Sequence, residues 1–278
     1  MKTVQPEFDR DFSFLRFQDE SGLEQYDPIA VKRSAYWCYC GPLLDTETNS
    51  CLPANFSEFE SAAFTGSVRS RFVSFLSYIS NLLVARGINH YFLTIRATTP
   101  THEFDQPRWH TDELFFAKAP KGFLPGTRLG LKSQRSQQDN TGTNWKICTT
   151  LLGPSTLFIP LHHQPSARER QKTARQAAST DHECLSIRCA GCASAADAVR
   201  NELAITLEPF GTEAAAMGEC SIFQLGSDHG AVHSEPCSSR EASGRIFVSV
   251  VPGTKDELET LMLKWGMEFP RQWWVGGR

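Results

Sequence analysis

The chain reads as a mainly β protein with flanking α-helices, and three observations lead there. Runs rich in β-branched and aromatic residues recur in the second half, at 145–152, 156–159, 220–226 and 245–252, each bounded by glycine, proline or polar residues. Apolar residues spaced three and four apart fill one long stretch, from Phe59 to Leu83. A capping box, Thr254 with Glu257, opens a helix near the end. At 278 residues the length prior is about two domains, but a sandwich with helical flanks uses this much as one. We therefore read 1–278 as a single domain with its β core at 88–252.

Composition sets the outer bounds. Hydrophobic residues make up 40% and charged residues 21%, enough for a large core, and the net charge is -3. With a pI near 6.2 no broad basic surface is implied, so neither nucleic acid nor an anionic membrane is expected as a partner. Glu7, Asp9 and Asp11 interrupt the amino-terminal stretch, and nothing approaches the roughly 18 continuous apolar residues of a membrane span. The expectation is a soluble, cytoplasmic protein. Nine cysteines, an odd number without framework spacing, are expected as reduced thiols.

In chain order, Pro6, Pro28, Pro42 and Pro53 break up 1–56, which we read as an irregular arm with a buried aromatic run around Cys38 and Cys40. Phe59, Ala63, Val68, Phe72, Phe75, Ile79 and Leu83 give 57–87 a helical face, one helix or two, closing near Gly87. His90 to Arg96 is a strand ended by Thr98-Thr99-Pro100, and His90 and His102 are read as ordinary histidines. The polar run between Lys118 and Asn144 is a loop of a length often associated with lids. In the strand 145–152, Lys146, Cys148 and Thr150 share one face, and Gly153-Pro154 turns the chain into the next strand.

Residues 162–200 look like an insertion. Arg168, Arg170, Lys172 and Arg175 around Glu169 read as a solvated helix face. His182, Cys184 and Cys189-x-x-Cys192 offer four soft ligands to a structural zinc, although strong zinc signals carry two separated pairs. Strand 220–226, a glycine turn, Val232-His233, a polar loop and strand 245–252 follow. Leu258, Leu261, Met262 and Trp265 line the last helix, and 253–278 is that helix with a tail.

The stretch Arg108 to Phe116 carries the chemistry. Alternate side chains of an extended segment share a face, so His110 and Asp112 point together while Thr111 turns away. An imidazole beside a carboxylate is two thirds of a 2-His-1-carboxylate site, to be completed by a distant histidine. His233, after a strand and a glycine turn, is the candidate, and Arg245 heads the next strand twelve residues later. The plain alternative is a hydrogen-bonded core pair at His110 and Asp112, with Arg245 in a surface ion pair.

His-x-Asp, a distant His and then an Arg-led strand resemble the Fe(II)/2-oxoglutarate-dependent oxygenase superfamily over roughly Trp109 to Pro252. A narrower resemblance is to an uncharacterised family pairing His-x-Asp with a Thr-x-x-Gly-Pro strand end and a Val-His-x-x-Pro segment. Thr150 to Pro154 and Val232 to Pro236 match that layout, which favours His233 over His229 as the third ligand. The resemblance implies a double-stranded β-helix, a jelly-roll or cupin-like core. It implies Fe(II) on His110, Asp112 and His233, with 2-oxoglutarate and dioxygen as co-substrates and Arg245 as the co-substrate anchor. Many members carry Ser two positions after that Arg; here it is Phe247, so Thr150, Lys146 or Ser249 is expected to make the second contact.

Trp109, Phe115 and Phe247 are expected in the pocket wall. The implied activity is hydroxylation, desaturation or cyclisation of a small molecule such as an amino acid or secondary metabolite. A cupin-like iron dioxygenase without 2-oxoglutarate, and a non-catalytic metal-binding or sensing sandwich, are the competing expectations. No signal for oligomeric state is present.

Overall fold

A computed structural model describes residues 10–19, 26–46, 52–116, 144–178, 189–240 and 242–277. The loop expected at 118–144 falls outside them except for Asn144, as do His182 and Cys184. Seven strands form an antiparallel sheet in the order β1 (Phe12–Arg16), β9 (Glu219–Gln224), β6 (Trp145–Leu152), β11 (Arg245–Gly253), β5 (His90–Thr98), β3 (Ala35–Pro42) and β12 (Arg271–Gly276). A smaller antiparallel sheet joins β10 (His233–Ser234), β7 (Leu157–Phe158) and β8 (Glu213–Ala214), and His110 bridges to its free edge at His233. Strands β2 (Ala30–Val31) and β4 (Phe64–Thr65) make a short ribbon.

Successive core segments alternate between the sheets. β5 lies in the large one, the His110 bridge in the small one, β6 in the large, β7 and β8 in the small, β9 in the large, β10 in the small and β11 in the large. Side-chain alternation then sorts residues to layers. Ile147, Leu151, Ile246, Val248, Val250, Leu93 and Ile95 face helices α1 (Asn55–Ala63) and α2 (Arg69–Val84), which bury Phe56, Phe59, Phe72 and Phe75 against them. Cys148, Phe223 and Phe247 face the other way, toward Phe158 of the small sheet. Phe158 stacks on Phe12 with ring centroids 4.6 Å apart and meets Phe223 edge-on at 5.4 Å, so one fully buried ring joins the sheets.

The outer face of the small sheet carries Trp109, Val232, Leu157 and Ile159. Helices α3 (Gln164–Ala177) and α4 (Ala190–Leu207) cover it through Ala167, Ala174, Leu203 and Leu207. Helix α5 (Lys255–Lys264) starts at the expected capping box and packs Leu258, Leu261 and Met262 on Cys38, Cys40 and Phe92. Burial raises the thiols of Cys38 and Cys40 to about 12, as expected of thiols that serve packing.

Four expectations change. The irregular arm contains β1 and β3, which extend the large sheet on both sides; Pro28 precedes β3 and Pro42 ends it, so neither proline interrupts its ladder. The 57–87 helix is two, parted by β4 and by Gly66 at φ 81°, where an added Cβ would lie 2.5 Å from the Pro28 carbonyl. The insertion extends past residue 200, because α4 runs to Leu207. The tail after α5 is strand β12, paired to β3 from Arg271 opposite Cys40 to Gly276 opposite Ala35. Among the described residues no helix is long and apolar enough to cross a membrane.

Because Phe158 is the shared ring between the sheets, Phe158→Ala is expected to lower stability by about 3–5 kcal/mol in urea unfolding followed by circular dichroism. A loss below about 1 kcal/mol would mean that other contacts hold the small sheet in place.

Candidate metal centre

His110 and His233 are brought together by the backbone. Each donates its N–H to the other's carbonyl, both at 2.9 Å, the reciprocal pair of an antiparallel ladder. Residues facing each other in this way project to the same side, and the two imidazole centroids lie 4.4 Å apart. Trp109 and Val232, one position earlier on each strand, therefore turn to the outer face under α3 and α4. Asp112 follows on the inner side of the same extended segment, and its carbonyl accepts from the Gly226 N–H at 2.8 Å.

One ligand atom from each of His110, Asp112 and His233 lies within 4.8 Å of the others, and this is the one such group among the described residues. Asp112 Oδ1 is 3.6 Å from His110 Nε2 and 3.8 Å from His233 Nε2. Both rings are oriented alike: Nδ1 of His110 meets the Arg108 carbonyl at 2.7 Å, and Nδ1 of His233 meets the Ala231 carbonyl at 2.9 Å. A carbonyl accepts only, so each Nδ1 carries the hydrogen and each Nε2 is turned to the common centre. Two imidazole nitrogens and a carboxylate oxygen brought together in this way are a donor set suited to a divalent transition metal.

The carboxylate is held from behind. Lys146 donates to Asp112 Oδ2 at 2.8 Å, leaving Oδ1 toward the histidines, and its ammonium also lies 5.7 Å from the Phe223 ring centre. Burial favours the neutral acid at Asp112, but His110, Lys146 and His233 outweigh it and hold its pKa well below the usual carboxylate range. Burial alone would depress His110, yet the Asp112 carboxylate 3.6 Å away, the hydrogen bond to the Arg108 carbonyl and Glu235 nearby push its pKa up. His233 goes the other way, lowered to about 4 by burial and by the neighbouring His110. A bound cation would take the place of the second proton that the raised pKa of His110 favours on Nε2.

Arg245 is buried at the head of β11. Its Nε donates to the Pro154 carbonyl at 2.9 Å, its Nη2 lies 3.4 Å from Thr156 Oγ1, and its guanidinium sits 4.7 Å from the Phe247 ring centre. Burial lowers its pKa to about 10, with Glu235 opposing. Thr150 and Ser249 lie on the same inner face, beside Phe247 and Cys148 respectively, and both are buried. Lys146 is committed to Asp112, and Arg245 has taken Thr156 as its hydroxyl neighbour. Phe115 packs between the inner-face clusters, while Trp109 belongs to the helix-covered side.

His229 is exposed in the turn before β10 and is no part of the group. His102 pairs with Asp105 at the surface, and His90 starts β5. Cys189 and Cys192 sit at the start of α4, with the other two proposed zinc ligands outside the described residues.

Two groups near the site were not anticipated. Glu235 reaches both His110 and Arg245 electrostatically. Gln171 is buried beside Thr111; with its amide oriented to suit its neighbours, its oxygen accepts from the Thr111 N–H at 3.2 Å and from Arg175 at 3.0 Å. Gln164, seven residues earlier on the same face of α3, accepts from the Val232 N–H at 2.7 Å and donates to the Ile159 carbonyl at 2.7 Å. The spacing Gln164, Ala167, Gln171, Ala174 was the available signal, a helical stripe of small and amide side chains opposite the basic one.

The expected measurement is a Co(II) titration that saturates at one ion per chain and fails in Asp112→Ala. His110 must lose its proton to bind, and its pKa is raised, so affinity is expected to fall by roughly tenfold per pH unit below that pKa. His233 stays neutral down to about pH 4 and adds no proton competition above it. Binding independent of pH between 5 and 7 would contradict the assignment of His110. In comparisons with protein-family models, curated proteins and solved structures, nothing matches the chain.

Proposed function

We propose that the chain is a non-haem iron oxygenase that couples decarboxylation of 2-oxoglutarate to oxidation of a small molecule. The observation that carries this reading is the convergence of His110, Asp112 and His233 with both Nε2 atoms turned to one point. A double-stranded β-helix is the matching fold, and the alternation of core segments between two facing sheets supports it. Fe(II) suits two imidazoles and a carboxylate on one face, the arrangement of oxygenases that leave positions open for co-substrates.

When bound, the iron supplies the activation of dioxygen that turns 2-oxoglutarate into succinate and carbon dioxide and inserts the second oxygen atom into a substrate C–H. The chain's own contribution is placement. Lys146 fixes the Asp112 carboxylate in a single orientation, and the two carbonyls fix the imidazoles. The Arg245 guanidinium receives the far carboxylate of 2-oxoglutarate. Its Nε is already tied to Pro154 and its face rests on Phe247, so the fork is held before the ligand arrives. Phe158, Phe223 and Phe247 keep the space between the sheets apolar and exclude water from the reacting atoms.

Purified protein with Fe(II) is expected to release succinate from 2-oxoglutarate with matching oxygen uptake, and Asp112→Ala to abolish both. Arg245→Gln is expected to raise the KM for 2-oxoglutarate by roughly 10- to 100-fold, the worth of a charge-assisted hydrogen-bonded pair. Oxygen uptake that ignores 2-oxoglutarate would instead support a cupin-like iron dioxygenase, and metal binding without uptake a sensing role.

A further inference from the structure

A cavity of about 720 Å³ is lined by residues of the metal-bearing segment and of the inserted helices, His110 and Glu235 among them. That volume is typical of small-molecule sites. Its wall contains three guanidinium groups, Arg108, Arg175 and Arg200, and among the described lining residues a single carboxylate, Glu235. Each arginine is steadied by a neighbour: Arg108 by Glu103 at 2.9 Å and by the Phe104 ring at 5.0 Å, Arg200 by Asp197 at 2.9 Å, Arg175 by the Gln171 amide. Glu103 and Asp197 pair with two of them and Glu235 brings the formal charge of the wall to balance, but among the described residues Arg175 leans on a neutral amide and keeps its charge for a ligand.

A second observation points the same way. Trp109 is buried and lines this cavity, and its indole Nε1 has no hydrogen-bond partner among the described residues. An orphan donor of that kind costs about 1–3 kcal/mol relative to one that is paired, and a ligand oxygen would satisfy it. Val199 and Ala196 on α4 supply apolar wall between these polar groups.

We propose that this cavity binds the primary substrate, and that the substrate is a small organic anion with an apolar body whose acidic oxygens are met by Arg175 and Arg200. The placement beside the iron rests on the oxygenase reading, because His110 is both a proposed ligand and part of the cavity wall. Recognition by paired guanidiniums fits a carboxylate or a phosphate, and the two are separable by experiment.

The test uses the whole protein carrying Mn(II), a redox-inert stand-in for iron, with benzoate, phenyl phosphate and benzamide as probes. Saturation transfer to the ligand protons reads binding, and their paramagnetic relaxation reads proximity to the metal. At least one of the two anions is expected to bind roughly tenfold more tightly than benzamide, about 1.4 kcal/mol, and to relax near Mn(II). The stronger anion tells carboxylate from phosphate. Arg175→Gln combined with Arg200→Gln, both exposed positions, is expected to remove the preference while Mn(II) affinity stays at the wild-type value. Benzamide binding as tightly as the anions, or a preference that survives both substitutions, overturns the proposal. Anion binding that needs both arginines in a protein that takes up no Mn(II) would uphold the cavity and remove the iron reading.

Discussion

The structure turns on the reciprocal backbone pair between residues 110 and 233. It sets the register of two short segments separated by more than a hundred residues, and with it the side to which each imidazole projects. Side chains alternate along a strand, so a slip of one position would send His233 under the inserted helices and Val232 toward Asp112. The pairing is short, and its security comes from the layers on either side. Inward, Phe158 and Phe223 lie against the His233 ring at 5.7 and 4.8 Å; outward, the amide of Gln164 holds the backbone of Val232.

Electrostatics follow from that placement. Three groups that each titrate near or below neutrality in water share a largely buried site, and burial alone would push the Asp112 pKa up. His110 and His233 oppose this, and so does Lys146. It is itself buried and is kept charged by Asp112, so each would be a costly isolated charge without the other. The pair therefore works as a unit that presents one carboxylate oxygen toward the imidazoles.

Much of this was legible in the residues. His110 and Asp112 could be named because a metal site needs particular side chains and the strand period puts His-x-Asp on one face, and His233 because the layout of the family that the chain resembles favours it over His229. The strands at 145–152 and 245–252 were equally plain, since both are largely buried and rich in apolar and β-branched residues. The arm was misjudged because a proline that ends a strand, as Pro42 ends β3, looks the same in sequence as a proline that breaks one. Strand β12 was missed because it lies at the sheet edge, half-exposed, without the alternation that burial on one face imposes. The insertion was read by its charges. Its amide stripe meets buried backbone of other segments, a need that no local pattern announces.

Gln171 ties the inserted helix to Thr111, the residue lodged between two members of the triad. An excursion that hangs from the rim of a β core by its ends alone can be exchanged as a cassette. This one is stitched to the floor by two amides, so a graft replacing it has to bring equivalent acceptors to the same two backbone N–H groups, or the segment beneath loses its backing.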